Sequence, residues 1–180
     1  MNETKYTLTV AGCKRELPIC QINEKVKIAA FIMLGDIELT IKTAKELLKR
    51  CPDYDVLITA EAKGIPLCYE MARETGKRYV VARKSVKLYM HNPVHVEVKS
   101  ITTAQLQNLY LSESDFECIK GKRVLIVDDV VSTGESLTAI ETLVNKAGGE
   151  VVGKAAVLAE GEAAERNDLI FLESIPLFFD

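Results

Sequence analysis

Two adjacent carboxylates, Asp128 and Asp129, follow four apolar residues (124–127), and Val130 and Val131 lead from them into Ser132, Thr133, Gly134, Glu135 and Ser136. Beyond this turn Leu137, Ile140, Leu143 and Val144 recur at helical spacing. The pattern describes a buried strand that delivers two acids to its carboxyl end, then a turn of small residues that opens a helix. The first amides of a helix have no intrahelical partner and sit at the positive end of its dipole, so they suit a phosphate. The hydroxyls of Ser132, Thr133 and Ser136 add donors. Carboxylates beside such a cup would repel the phosphate unless they face something else, and sugar hydroxyls and a Mg²⁺ ion fit their chemistry. The combination suits a phosphorylated sugar.

Two further segments carry cations where a second anion could bind. In residues 59–66, Ala62, Lys63 and Gly64 form a short turn after an apolar run, so that amides near Gly64 and the Lys63 ammonium could face a diphosphate. In residues 83–89, Arg83, Lys84 and Lys87 follow another apolar run. Three cations at a strand end are costly to bury unpaired, and a diphosphate would pair them. The two histidines, His91 and His95, have no third ligand nearby in sequence and read as solvent-exposed.

The elements that must position these residues follow from periodicity and breakers. Residues 6–10 alternate polar and apolar and predict a strand, with a turn at Ala11-Gly12 and a return strand over 15–19. Residues 26–34 predict an apolar helical patch that Gly35-Asp36 breaks, and 37–49 a helix ended by Cys51-Pro52. Strands are predicted over 56–59, 79–82, 123–127, 151–158 and 169–172, and helices over 66–75 and 135–146. Residues 83–111 show no helical pattern, and Val94, Val96 and Val98 alternate with His95 and Glu97 as in an exposed ribbon. Strand–helix alternation of this kind implies an α/β fold: a doubly wound, mostly parallel sheet with helices on both faces and its ligand site at the carboxyl ends of the strands.

A length of 180 residues fits one domain, 1–180. A net charge of −3 argues against binding nucleic acid through its backbone. Five cysteines, odd in number and without a CxxC pair, point to reduced thiols rather than a disulfide framework. The first ten residues lack the apolar core of a signal peptide, and no run is long enough to span a membrane. A cytoplasmic protein with no nucleic-acid and no membrane partner is the expectation.

Residues 124–136 meet every position of the phosphoribosyl pyrophosphate (PRPP) signature of type I phosphoribosyltransferases, which the chain therefore resembles. Residues 59–66 look like that family's pyrophosphate loop, and residues 83–89 resemble the Arg-Lys-x-x-Lys-Leu run of its adenine branch. The resemblance implies transfer of a 5-phosphoribosyl group from PRPP to a purine base, most closely adenine, in purine salvage. It implies that Asp128, Asp129, Lys87 and Arg83 serve catalysis, and that Ser132, Thr133, Gly134, Glu135 and Ser136 hold the 5-phosphate. Ala62, Lys63, Gly64, Arg83, Lys84 and Lys87 would bind pyrophosphate, and Val130 would lie beside the base. Mg²⁺ would be the cofactor, held mainly by PRPP and aided by Asp128 or Asp129, with no direct protein ligand assigned. A small N-terminal hood (1–35), a mobile lid (84–112) and a homodimer complete the implied picture. The chain departs from the adenine branch in the lid. The usual Glu-Tyr-Gly is replaced by a run from Gln105 to Leu111 with no acid beside Tyr110. This leaves open a xanthine or hypoxanthine/guanine enzyme and, in a different class, a PRPP-sensing regulator without catalysis.

Overall fold

The computed structural model describes residues 5–99 and 106–179. The chain runs β1 (Lys5–Val10), β2 (Cys13–Gln21), β3 (Val26–Ala29), α1 (Ile37–Leu48), β4 (Val56–Ala60), α2 (Ile65–Thr75), β5 (Arg78–Ala82), β6 (Val94–Lys99) and β7 (Leu106–Leu111). It continues through α3 (Glu113–Ile119), β8 (Arg123–Val131), α4 (Glu135–Lys146), β9 (Glu150–Glu160), a 3₁₀ turn (Gly161–Glu165), β10 (Ile170–Ile175) and β11 (Leu177–Phe179). Five strands pair in the order β10-β9-β8-β4-β5, all parallel. β8 and β4 are buried almost throughout, because helices cover both faces of the sheet.

The two faces bury separate cores. On one, Leu57, Leu125 and Val127 pack with Leu39 and Leu47 of α1, Leu67 and Met71 of α2, and the hood residues Leu8, Val10, Leu17 and Phe31. On the other, Ile58, Val124 and Ile126 pack with Ile119 of α3, Ile140, Leu143 and Val144 of α4, and Leu109 and Leu111 of β7. Among the described residues no helix is long and apolar enough to cross a membrane.

The hood is a four-stranded sheet, β1-β2-β3-β11. The helix expected over 26–34 is instead the short strand β3, inserted between β2 and β11. A segment from the far end of the chain, Leu177–Phe179, supplies one of its partners, and that long-range pairing overrides the local apolar pattern. The hood is tied to the body at Asp36. Its carboxylate caps α1 by accepting from the Leu39 amide at 3.1 Å, and it also accepts from Arg15 Nε at 2.7 Å and Nη2 at 3.0 Å.

The range expected for the lid, 84–112, is described up to residue 99 and again from 106. β6 and β7 form an antiparallel ribbon, as the valine alternation suggested. Toward the carboxyl end of β7, Leu109 and Leu111 are buried, and Arg83 and Tyr110 exchange backbone hydrogen bonds at 2.9 and 2.8 Å. Ser112 then caps the unpredicted α3, its hydroxyl accepting from the Asp115 amide at 3.3 Å. Gln105 lies outside the described residues. His91 and His95 are exposed, as expected, with His95 stacked 5.5 Å from the Tyr110 ring.

Candidate functional site

The chain passes from β4 to β5 on one side of the sheet and then back to β8 on the other side of β4, so a topological switch point lies between β4 and β8. In open α/β sheets such a point opens a crevice at the carboxyl ends of the strands. Three of the sequence-predicted segments meet there. β8 continues to Val131, so Asp128 and Asp129 sit within its last turns of pleat rather than after it. The backbone then turns at Ser132 and Thr133 to reach α4. Gly134, at φ +79°, stands at the N-cap of α4. A cleft of about 150 Å³ is lined by Asp128, Val130 and residues 131–137. A larger one, about 660 Å³, lies at the β5 edge and contains none of the phosphate-turn residues.

The loop after β4 packs directly on β8. Gly64 has an ordinary φ of −74°, so its lack of a side chain is a matter of space. An added Cβ would collide with Thr59 Oγ1 and lie 3.2 Å from Asp128 Oδ1. The preceding peptide, Glu61–Ala62, is cis. Lys63 Nζ stands 3.0 Å from Asp129 Oδ2. This is an ion-pair contact without hydrogen-bond alignment, and Asp129 Oδ2 is buried with no hydrogen-bond donor among the described residues. A buried acceptor left this way is costly and is the kind of atom that a substrate hydroxyl or a hydrated cation satisfies.

Asp128 Oδ1 accepts from the Asp129 amide at 2.8 Å. Burial, then the neighbouring Asp129 charge, pushes the Asp128 carboxyl well above the usual carboxylate range. A raised carboxyl pKa in the folded state means that stability is lost as pH rises from the unfolded value, near 4, through the folded one. Asp128→Asn removes this penalty while keeping an acceptor for the Asp129 amide. Its melting temperature is expected to exceed that of the wild type by several degrees at pH 8 and by much less at pH 5. Scanning calorimetry at the two values checks this, and an equal or inverted difference would remove the charge conflict from the account.

The third segment is organised by a residue that sequence reading left without a role. Glu61 Oε1 accepts from the Lys84 amide at 2.8 Å and lies 3.5 Å from Lys87 Nζ, while Oε2 accepts from Arg83 Nη1 at 3.3 Å. Burial opposes ionisation of Glu61, but the Lys84 amide and the Arg83 and Lys87 cations outweigh it and hold its pKa below the usual glutamate value. Glu61 therefore gathers Arg83 and Lys87 at the carboxyl ends of β4 and β5. The signal available in the sequence was an acid at the end of β4, aligned by the parallel pairing of Ala60 with Ala82 to the start of the basic run. Behind the phosphate turn stands another unforeseen cation. Arg166 donates to Asp168 through Nε at 3.0 Å and Nη2 at 2.9 Å. Its Nη1 lies 2.5 Å from where a Gly134 Cβ would be.

The chain is similar to known proteins. The family model of the phosphoribosyl transferase domain matches residues 33–176. The chain is 42% identical over 109 residues to a hypoxanthine/guanine phosphoribosyltransferase of Methanotorris igneus, covering 60% of this chain and 55% of that protein. It is 41% identical over 103 residues to an adenine phosphoribosyltransferase of Thermotoga petrophila, covering 57% and 58%. The chain thus spans little more than half the length of these relatives. The crystal structure of an adenine phosphoribosyltransferase from Rhodothermus marinus superposes with a TM-score of 0.68 over 95% of this chain and 94% of that one, at 22% identity. At that identity the likeness concerns the fold.

Proposed function

Because the chain belongs to the phosphoribosyl transferase family, we propose that it transfers the 5-phosphoribosyl group of PRPP to a ring nitrogen of a purine base and releases pyrophosphate. The observation that carries this reading is the convergence, at one switch point, of two strand-end acids, a helix-start amide cup and a glycine-cleared basic loop. The purine class is supported by relatives that are named as adenine and as hypoxanthine/guanine enzymes.

In this reading the amides and hydroxyls of residues 132–136 hold the 5-phosphate, with the amide dipoles of α4 behind them. Anchoring that remote group fixes the ribose, so its binding energy serves the reacting carbon. Asp128 and Asp129 accept from the ribose 2- and 3-hydroxyls and favour the positive charge that grows on the ring as the anomeric C–O bond breaks. Lys63, Arg83, Lys84 and Lys87 stabilise the departing diphosphate, which displaces Glu61 from Arg83 and Lys87 and draws Lys63 from Asp129. The base nitrogen then forms the new C–N bond and loses its proton. Mg²⁺ fits the orphaned carboxylate oxygen of Asp129 through substrate hydroxyls or water, and when bound it would neutralise the diphosphate. A homodimer is part of the proposal: Val86, Leu88 and Tyr89 are exposed apolar side chains immediately beside the cationic cluster, and a second copy would cover them. Sedimentation analysis should return twice the 19.9 kDa chain mass; a monomer at micromolar concentration would contradict the dimer.

Calorimetric titration tests the PRPP site. The wild type should bind PRPP more tightly with Mg²⁺ than without it. Gly134→Ala forces a left-handed φ on a residue with a Cβ, at about 1–2 kcal/mol, and pushes that Cβ toward Arg166. Its PRPP affinity is expected to fall by about tenfold, since 1.4 kcal/mol is one decade. Unchanged affinity in the variant would place the phosphate elsewhere.

A further inference from the structure

We propose that Arg166 is a positioning residue for the 5-phosphate: anchored by Asp168, its guanidinium backs the phosphate turn at Gly134 and supplies the full positive charge that the turn itself lacks. The inference rests on the transferase reading above and names a determinant of that site outside its sequence motif.

Arg166 ends the 3₁₀ turn that follows the carboxyl end of β9. Its amide donates to the Ala163 carbonyl at 3.3 Å, and Ala163 is buried in the core that α4 shares. One edge of its guanidinium is fixed. Nε and Nη2 donate to the two oxygens of Asp168 at 3.0 and 2.9 Å. Asp168 is held in turn by Lys154 Nζ at 3.0 Å, and Lys154 also pairs with Glu141 of α4 at 2.8 Å. The hydrogen bonds from Arg166 and then Lys154 hold the Asp168 pKa down at about 2, so the anchor stays ionised. The remaining amino group, Nη1, is the atom nearest the position that a Gly134 Cβ would take, 2.5 Å away, with Cζ at 3.3 Å and Nη2 at 3.9 Å. The guanidinium thus turns Nη1 toward the phosphate turn and the edge that meets Asp168 away from it. It fills the place that the missing side chain of Gly134 leaves.

The surroundings call for a charge there. The residues lining the phosphate cleft, Asp128 and 130–137, include the acids Asp128 and Glu135 and no cation. A phosphate monoester brings a charge of roughly −1.5 to −2 near pH 7, and the amides of a helix start set only partial charges against it. Lys63 is engaged by Asp129, and Arg83 and Lys87 by Glu61, around the loop after β4. Helix stability does not explain Arg166. Gly134 is the N-cap of α4, the positive end of the helix dipole, where a cation is unfavourable. An anion bound at that end reverses the sign. A guanidinium already locked by a carboxylate pays little reorganisation when the anion arrives. Because Arg166 packs against the backbone of Gly134, it acts through the turn: it holds the turn's geometry and adds attraction well within a Debye length of about 8 Å.

The test is calorimetric titration of wild type, Arg166→Gln and Arg166→Lys with PRPP and with inorganic pyrophosphate, which carries no 5-phosphate, alongside KM, kcat and melting temperature. In Arg166→Gln the PRPP affinity is expected to fall by about five- to tenfold, the scale of one partly buried charge at a helix terminus. The loss should appear in KM for PRPP more than in kcat, and pyrophosphate affinity should be unchanged. Arg166→Lys keeps the charge and should recover part of the loss. The melting temperature should change little, because the Asp168 partner is half exposed. Unchanged PRPP affinity in Arg166→Gln would overturn the assignment alone. So would a lysine variant no better than the glutamine one, or a loss shared by pyrophosphate, which marks a general disturbance of the fold. A wild type that does not bind PRPP would overturn the transferase reading and this assignment with it.

Discussion

Replacing Asp129 by asparagine is expected to lower turnover by about 10²-fold or more, the scale of losing one preorganised electrostatic contact at a reacting centre. The residue is 2% exposed, and among the described residues its Oδ2 has the Lys63 ammonium 3.0 Å away as its ion-pair partner. Asparagine fills the same volume, so the sheet around it is undisturbed. What is lost is the negative charge against which the oxocarbenium-like ribose develops. The neighbouring Asp128, relieved of a like charge, ionises more readily and does not replace it, because its Oδ1 is already engaged by the residue 129 amide. The loss should appear in kcat with the thermal midpoint unchanged or raised. Near wild-type turnover in a folded variant would remove Asp129 from the sugar site.

The second large effect is expected from Gly64→Ala. A methyl group there meets Thr59 Oγ1, Asp128 Oδ1 at 3.2 Å and the Asp128 Cα at 3.4 Å. Thr59 is fully buried and the Asp128 Cα belongs to the central strand, so neither yields as the end of a flexible side chain would. The loop carrying Glu61, Ala62 and Lys63 must withdraw from β8 instead. A displacement of about 1 Å at a positioning element can cost about 10²-fold in rate. We expect that loss in kcat/KM for PRPP, with a change in melting temperature of only a few degrees because the contact lies at the rim of the sheet. A variant with wild-type kinetics would show that the loop does not face the diphosphate.

The parts of this site that the sequence made legible are those written in consecutive residues. The acids, the small-residue turn and the helix of 124–146 form one strand–turn–helix unit, so periodicity alone located them, and β8 differed only in continuing through Asp128 and Asp129. Lys63, Gly64 and Arg83 were recognisable for the same reason. What escaped is held together across the chain. Glu61 gains its role from a basic run 22 to 26 positions later, through the parallel register of β4 and β5. The hood strand β3 exists because β11 pairs with it from the other end of the molecule, a contact that local propensity does not encode. Helix α3 is a different case: Ser112 and Asp115 are an ordinary capping signal, but the short helix behind them buries little besides Ile119 and leaves almost no periodicity.

The most direct test of the central claim is simultaneous measurement of pyrophosphate and nucleotide when the protein is mixed with PRPP, Mg²⁺ and, separately, guanine, hypoxanthine, xanthine or adenine. The account predicts both products in equal amounts with at least one of these bases, and neither product when base is omitted. Tight PRPP binding without release of pyrophosphate in the presence of any base would contradict it, and would instead describe a protein that senses PRPP.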